Sequence, residues 1–505
     1  MSMEGCANIG SRHQLFTDDF LVDTSRTTAE KRLHAPEYLE PAITLDRPWE
    51  GDGCTYHNIV WDEEKRLWRM YYIALEMFKP DGGMHGGDAV RVCVLESADG
   101  RNWVRPELGI VEFNGSTRNN IILTKDMLPG ILNIDNFFVM RDANPAPAVC
   151  GRFKAVMAYN ERIDGRRVNY LASFVSDDGC HFERLGVVTR SGYFDTLNTI
   201  VWHEATGRYL CYIRSFHQKG SFKEYEGREK DGELNLFVRD IRVLTSTDFM
   251  TWSEPEHITF DSERDYPLYT NCVTPCPGAE HLLIGMPTRY VERQEWTANF
   301  DRLCGREKRL ERMKIERRFG LAVTDCLFMS SRDGKNWARF DQAFLRPGPE
   351  YPTNWVYGSC YPCVGMIKTP SRIPGGDDLL KLFVYRNHWS GEPTVLESYV
   401  IRQEGFVSRH ADAEERVLVT KPFIFSGNAL EINFSTSAMG YVRIVLQAEG
   451  GEALESAELF GDSARRRVDF DGDLSALAGK PVRLRIALAD ADIYSFRFFE
   501  ANGEG

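Results

Sequence analysis

Ser-Arg-Asp-Gly-Lys-Asn-Trp, at residues 331–337, is the most informative segment of the sequence. It ends one predicted strand, turns through Asp-Gly and starts the next strand with an inward-pointing tryptophan. Asp-Gly suits a tight hairpin because glycine accepts a positive φ without steric cost and aspartate tolerates it. On its own, the stretch predicts a β-hairpin and nothing more.

The same pattern occurs five times along the chain. Residues 97–103 read Ser-Ala-Asp-Gly-Arg-Asn-Trp, and residues 176–182 keep the frame with Phe in place of Trp. Residues 246–252 retain Ser, Asp and Trp without the glycine, and residues 402–406 form a degenerate fifth copy. The acidic turn residues are about 70–85 residues apart, which indicates stacked or radially arranged units.

Each repeat contains further strand-like segments before its turn. In the first unit, residues 56–61, 67–73 and 90–95 are rich in Val, Ile, Tyr and Trp. Four-stranded meanders of this kind cannot bury both faces alone, so they pack face to face around an axis. The sequence therefore predicts an all-β protein with a five-bladed β-propeller over 1–410. After that the repeat stops and alternation of period two predicts a C-terminal β-sandwich over 411–505.

Three segments do not fit the repeat. Residues 13–23 form an apolar and acidic strand that we expect to close the ring of blades. Insertions at 216–235 and 296–318 separate the second and third strands of blades three and four. The second insertion has the apolar spacing and the many charges of a helix. Three roles are open for that helix: a solvated surface element, a basic lid or a subunit contact.

The composition argues against several classes of function. A formal net charge of −13 disfavours nucleic acid or an anionic membrane as the main partner. There is no apolar run of membrane-spanning length and no recognisable export signal, so we expect a cytoplasmic protein. The twelve cysteines include no Cys-x-x-Cys pair beside a second such pair. We therefore expect free thiols without structural disulfides, and neither a metal nor a cofactor.

The up-and-down course of the strands in a blade separates the scaffold from the site. If each first strand starts at the top face, the Asp-Gly turns lie at the bottom and have no catalytic role. A funnel at the top should then be lined by the starts of first strands and the ends of second strands. Carboxylates, amides, guanidinium groups and aromatic rings in such a funnel suit a sugar, because hydroxyls need polar partners and the ring face needs an aromatic platform. The substrate-binding candidates are His57, Asn136, Asn198, Arg214, Asn271, Arg289 and Tyr357.

The chain also resembles a known superfamily. Its five blades, inner-strand acids, Ser-x-Asp-Gly-x-x-Trp turns and C-terminal sandwich resemble the family-32 and family-43 glycoside hydrolases. Strings such as Leu-Phe-Thr-Asp-Asp at 15–19 and Asp-Arg-Pro-Trp-Glu-Gly at 46–51 are similar to uncharacterised bacterial family-32-like members. The resemblance implies three catalytic acids on the inner strands of the first three blades, which by position would be Asp52, Asp135 and Asp195. The family's Asn-Asp-Pro-Asn string is absent from blade one, and Asp195 stands where a Glu-Cys pair would be expected.

Three functions remain open at this point. A glycosidase would use two carboxylates, one to protonate the leaving oxygen and one to attack the anomeric carbon or activate water. A non-catalytic carbohydrate-binding propeller would keep the polar and aromatic lining, with its acids too far apart to act together. A phosphorylase or lyase on the same scaffold would need arginine beside one acid, and Arg214 and Arg289 are available for this. In each case the expected partner is a carbohydrate, and a homo-oligomer is a further possibility.

Overall fold

The computed structural model describes residues 6–77, 90–221, 223, 237–449 and 451–501. Nearly all of its regular structure is β-strand, arranged in six sheets. Five of these sheets are mainly antiparallel meanders that follow one another along the chain, so the predicted five-bladed β-propeller is confirmed. No helix in the described ranges is long and apolar enough to cross a membrane.

In the part of the chain that the structure describes, the first three blades have four strands each, which follow in sequence order from the innermost to the outermost. Blade one comprises Thr55–Asp62, Leu67–Ala74, Arg91–Ser97 and Ile121–Thr124. Blade two comprises Ile131–Arg141, Phe153–Ile163, Arg166–Ser176 and Glu183–Thr189. Blade three comprises Thr199–His203, Arg208–Gln218, Phe237–Ser246 and Glu256–His257. A short 3₁₀ helix, Lys125–Met127, links the first two blades.

The last two blades are more irregular. Blade four comprises Thr274–Cys276, Ala279–Gly285, Thr288–Glu292, Ala322–Ser331 and Asn336–Leu345, and the short strand Thr259–Phe260 pairs in parallel with the last of these. Blade five comprises Tyr361–Pro362, Ile367–Thr369, Leu379–Arg386 and Thr394–Arg402 from this part of the chain. Its outermost strand is Glu37–Leu45, which comes from near the amino terminus and closes the ring.

The repeated turns form hydrogen bonds with the neighbouring blade. The carboxylate of Asp333 accepts two backbone amides at 2.8 Å each, which fixes the turn. Gly334 has φ of +79°, and a Cβ atom there would lie 2.7 Å from the hydroxyl of Tyr212 in blade three. That hydroxyl donates a 2.8 Å hydrogen bond to the Gly334 carbonyl. Gly179 repeats this arrangement with Tyr71 of blade one, at the same two distances. The glycine is therefore required both by the turn and by the adjoining blade.

The prediction that residues 13–23 close the ring was wrong. Within that stretch, Gln14–Leu15 pairs with Ser495 and Phe496 near the carboxyl terminus. The physical reason is that Leu15 and Phe16 are almost completely buried and need an apolar environment on both sides. The strand Glu37–Leu45 is better suited to the outermost position of a blade, because its exposed Glu37 and Pro41 are typical of a sheet edge.

The sixth sheet joins both ends of the chain. Its long strands, Ala429–Ala448 and Val482–Phe499, pair along most of their length and form one apolar cluster with their neighbours. The other strands are Ala7–Gly10, Gln14–Leu15, Glu30–Leu33, Val407–Ala411, Arg416–Val419, Phe423–Phe425, Ala453–Glu455 and Asp462–Val468. A 3₁₀ helix, Leu474–Leu477, precedes the last strand. All ten strands are linked by hydrogen bonds, so the sheet draws residues from both sides of the predicted boundary at 410. The β-sandwich and the limits 1–410 and 411–505 stay predictions.

The second predicted insertion is helical. It contains Ala298–Arg302, Arg306–Ile315 and Arg317–Leu321 between two strands of blade four. Arg309 and Arg312 are buried, and the latter donates a 2.7 Å hydrogen bond to the Trp389 carbonyl in blade five. The helices therefore pack onto the propeller instead of standing in solvent. Most of the first insertion, at 216–235, lies outside the described residues.

Candidate active site at the propeller axis

All five blades contribute to one cavity of about 210 Å³. Each blade contributes at least one residue from its inner strand or from the loop just before that strand. The residues are Tyr56 in blade one, Asp135 in blade two, Asp195 in blade three, Tyr269 in blade four and Tyr357 in blade five. Further polar and aromatic lining comes from Asn133, Arg214, Arg239, Tyr290, Arg318, Phe319 and Trp389. The funnel predicted from the sequence lies at the starts of the inner strands, and this cavity occupies the same region.

A second cavity of about 280 Å³ adjoins the first. Three residues line both cavities: Asn133, Asp135 and Asp195. The remaining lining of the second cavity is mostly aromatic and polar, and includes Tyr159, Asn160, Arg167, Tyr170 and Tyr193. The two carboxylates therefore lie at the junction of two polar cavities with aromatic walls.

Asp135 has an unusual charge state for an aspartate. It lies on the inner strand of blade two, Ile131–Arg141. Burial raises its pKa from 3.8 to about 7, and the nearby carboxylate of Asp195 adds to the rise. The positive charges of Arg214 and Arg167 lower this pKa without offsetting the rise. A substantial fraction of Asp135 is thus protonated at neutral pH.

Asp195 is held in place through its backbone and presents its side chain to the cavity. Its carbonyl oxygen accepts hydrogen bonds from the hydroxyls of Tyr56, at 3.3 Å, and Tyr269, at 3.2 Å. Its carboxylate is 59% exposed and forms an ion pair with Arg214, which is 2% exposed. The Arg214 guanidinium also lies 5.0 Å from the centre of the Tyr269 ring. A buried arginine therefore orients an accessible carboxylate.

An aromatic wall runs across blades four and five. The hydroxyls of Tyr269 and Tyr357 are 2.9 Å apart, and Tyr290 stacks on Tyr269 with ring centres 6.0 Å apart. Phe319, from the helical insertion, stacks on Tyr357 at 5.7 Å, and Trp389 lies 5.0 Å from the same ring. The helical insertion thus supplies part of the cavity wall.

Four of the predicted site residues meet in the first cavity: Asp135, Asp195, Arg214 and Tyr357. Asp52 lies outside the lining of both cavities, in contrast to its predicted catalytic position. Its two carboxylate oxygens accept backbone amides, from Met77 at 2.6 Å and from Gly391 at 3.0 Å. Asp52 therefore ties a loop of blade one to a loop of blade five.

The three predicted binding amides also lie outside the cavity linings. Asn198 donates to the side-chain oxygen of Asn136 at 3.2 Å and to the Phe194 carbonyl at 3.1 Å. Asn271 accepts from the Thr199 hydroxyl at 2.7 Å. All three amides are buried and connect the inner strands of adjacent blades, which is a structural role.

The last two predicted binding residues are likewise packed away from the cavities. His57 is buried and stacks on Tyr72 with ring centres 5.3 Å apart, and burial lowers its pKa to about 3. Arg289 forms a two-point ion pair with Asp325, with its Nε 2.9 Å from the carboxylate. Its other terminal nitrogen, Nη1, donates to the Asp341 carbonyl at 3.1 Å.

The residues that the insertion and the outer strands bring to the cavity are not among the candidates predicted from the sequence. Arg318 and Phe319 come from the end of the helical insertion, and Arg239 comes from the third strand of blade three. Nothing in the alternation of apolar and polar residues along the strands indicates that Arg239 is a site residue. Arg318 is the last residue of the predicted insertion at 296–318, whereas Phe319 lies one residue beyond it.

No protein-family model and no curated protein sequence matches the chain. Among solved structures, it is similar to an N-acetylgalactosamine deacetylase from F. plautii, with 14% identity, a TM-score of 0.41, and coverage of 73% of this chain and 94% of that one. It is also similar to a family-32 β-fructofuranosidase from Bombyx mori, with 11% identity, a TM-score of 0.40, and coverage of 92% and 95%. A family-43 arabinoxylan arabinofuranohydrolase from Bacillus subtilis gives 10% identity, a TM-score of 0.37, and coverage of 92% and 99%. The last two belong to the families that the sequence resembles, and identities this low do not transfer an activity.

Proposed function

We propose that the protein cleaves a glycosidic bond in the axial cavity, with Asp135 as the proton donor and Asp195 as the base or nucleophile. One observation carries the proposal: two carboxylates line the same cavity, and their surroundings favour different charge states. The pKa of Asp135 is raised to about 7, whereas Asp195 is ion-paired with Arg214. Two acids with different charge states suit a reaction that needs one proton donor and one anionic group.

The electrostatics favour this assignment of roles over the reverse. Ionising Asp135 would place a second negative charge beside Asp195 in a desolvated position, so a substantial fraction of Asp135 keeps its proton at neutral pH. Arg214 contacts Asp195 directly and stabilises its negative charge. In the proposed reaction Asp135 protonates the leaving glycosidic oxygen as the bond to the anomeric carbon breaks. Asp195 attacks that carbon or removes a proton from an attacking water.

The cavity walls suit a carbohydrate with sugar units on both sides of the bond. The two adjoining cavities share the acids, so one sugar in each cavity would place the connecting oxygen near both carboxylates. Aromatic rings such as Tyr269 and Tyr159 provide platforms for the apolar faces of the sugars. This supports an oligosaccharide or glycoside substrate.

The test compares three variants on a panel of natural disaccharides and nitrophenyl glycosides. Asp135→Asn should lose activity by about 100-fold or more on disaccharides, whose leaving groups need a proton, and less on nitrophenyl glycosides. Asp195→Asn should lose activity on both kinds of substrate. Asp177→Asn, an exposed acid in the turn of the same blade, is the matched control and should keep full activity. Full activity of both cavity variants would refute the proposal, and sugar binding without turnover would favour a binding propeller.

Phosphorolysis is the second candidate, and a specific observation favours it. Three arginines, Arg214, Arg239 and Arg318, line the cavity that holds the two acids. Guanidinium groups are well suited to bind phosphate, which would then replace water as the group that attacks the anomeric carbon. Turnover that requires inorganic phosphate and yields a sugar 1-phosphate would establish this reaction. Equal rates with and without phosphate would favour hydrolysis.

A further inference from the structure

A cluster of two histidines and one aspartate, of which His217 and Asp240 are buried, lies on the strand pair that carries two cavity arginines. His217 and Asp240 belong to adjacent strands of blade three, and His257 belongs to the strand beyond them. In the antiparallel register, Phe216 is paired with Arg239 and Ser215 with Asp240. Since alternate residues face opposite sides of a sheet, the cluster and the cavity arginines occupy opposite faces.

The ligand atoms of the cluster are spaced as in a metal site. One nitrogen or oxygen from each of His217, Asp240 and His257 lies within 4.8 Å of the others. The Asp240 Oδ2 atom is 3.0 Å from Nδ1 of His217 and 3.5 Å from Nδ1 of His257. Metal–ligand bonds of about 2.0–2.2 Å in a tetrahedral site put neighbouring ligand atoms about 3.4 Å apart. The three atoms would have to approach one another by at most about 1.4 Å to surround one ion.

We propose that His217, Asp240 and His257 bind one divalent transition-metal ion, with Zn²⁺ as the best match. Two imidazoles and one carboxylate are a common zinc donor set, and the fourth position would be taken by water. The sequence-based expectation of no metal rested on cysteine spacing, which says nothing about a site built from histidines on adjacent strands.

A second observation supports the site independently. The other nitrogen of His217, Nε2, lies 2.9 Å from the carboxylate of Asp265. Histidines that bind metals almost always donate their second N–H to a carboxylate or carbonyl, which orients the ring. In addition, Arg242 lies 3.3 Å from the other oxygen of Asp240, Oδ1, and thereby orients Oδ2 towards the histidines. The cluster thus has both a set of ligands and a set of groups that position them.

The competing interpretation is a metal-free ion-pair network. In that case a protonated His217 would bridge Asp240 and Asp265, and Arg242 would supply further positive charge. The two interpretations differ in measurable ways, because only the metal site takes up one ion per chain and needs His257 as a ligand.

The experiment measures metal uptake by the full chain after treatment with a chelator and dialysis. We expect one Zn²⁺ per chain by mass spectrometry of the metal, and a higher melting temperature with Zn²⁺ than without it. With Co²⁺ in place of Zn²⁺, we expect the visible absorption of a four-coordinate site. His257→Gln should abolish stoichiometric uptake, whereas His181→Gln, which changes an exposed histidine in a turn, should not.

Asp265→Asn provides a variant that keeps all three ligands. It should retain one ion per chain with an affinity about 10–100-fold lower, the usual effect of losing an outer carboxylate. The proposal is overturned if the wild type takes up no stoichiometric Zn²⁺, or if His257→Gln binds as much as the wild type. Neither readout depends on glycosidase activity, so this proposal and the proposed function can fail separately.

Discussion

The raised pKa of Asp135 leads to a prediction about stability that can be tested without knowing the substrate. Its pKa is 3.8 in the unfolded chain and about 7 in the folded protein. Between these values the folded protein holds a proton that the unfolded chain has lost. The folded state therefore binds more protons, and the free energy of unfolding falls as the pH rises through this window. The contribution of Asp135 is fully present below the unfolded pKa and is lost by the time the pH has passed the folded one.

The size of the effect follows from the same two pKa values. Each pH unit in the window changes the free energy of unfolding by about 1.4 kcal/mol. From about pH 5 to about pH 9, roughly two units lie below the folded pKa, so the wild type should lose up to about 3 kcal/mol through this group. Asp135→Asn has a neutral side chain of the same size and should not show this loss.

The assay is urea unfolding of the wild type and Asp135→Asn across this pH range. Titrating groups that do not interact with Asp135 affect both proteins alike and cancel in the difference between the two free energies. We expect the free energy of unfolding of the variant to increase relative to that of the wild type as the pH rises. A difference in the free energy of unfolding that stays constant from about pH 5 to about pH 9 would show that Asp135 is an ordinary ionised aspartate. Asp135 could then not act as the proton donor.

Three further outcomes follow from the packing. Asn198→Ala should lower the free energy of unfolding by roughly 1–3 kcal/mol, because buried carbonyl oxygens lose their donor, and the urea midpoint will measure this. Arg312→Met should loosen the helical insertion, so limited proteolysis should cut within 296–318 faster than in the wild type; an unchanged cleavage rate would contradict the docking role of this arginine. All twelve cysteines are unpaired. A thiol reagent should therefore find about twelve thiols after denaturation without reductant, and recovery of only a few would contradict this.

The fold was predictable because its determinants are local and repeated. Asp333 and Gly334 form a turn whose hydrogen bonds lie within four residues, and the same chemistry recurs at Asp178 and Gly179. Ring closure was not predictable in this way. The partner of Glu37–Leu45 lies at the far end of the propeller, and nothing in the short strand itself specifies that distance.

The site was only partly predictable, because alternation fails where the inner strands begin. Tyr56 has φ of +56°, and the register with the next strand shifts between Thr55 and Asn58. As a result Tyr56 lines the cavity, whereas His57, the residue selected from sequence, turns into the core. Cys272, with φ of +45°, interrupts the start of the inner strand of blade four in a similar way. A pattern of period two cannot show which neighbour faces the axis at such positions.

The closure of blade five by an amino-terminal strand affects how the protein is made on the ribosome. The Ser398 hydroxyl bonds the Glu40 carbonyl across 358 residues of sequence. At about 5–20 residues per second, the ribosome needs roughly 20–70 s to supply that partner after Glu40 has emerged. During this time Glu37–Leu45 has no native partner strand. Its charged residues and Pro41 disfavour pairing with a wrong strand. Four blades can form in order as the chain emerges, but the ring closes only after the fifth has been synthesised.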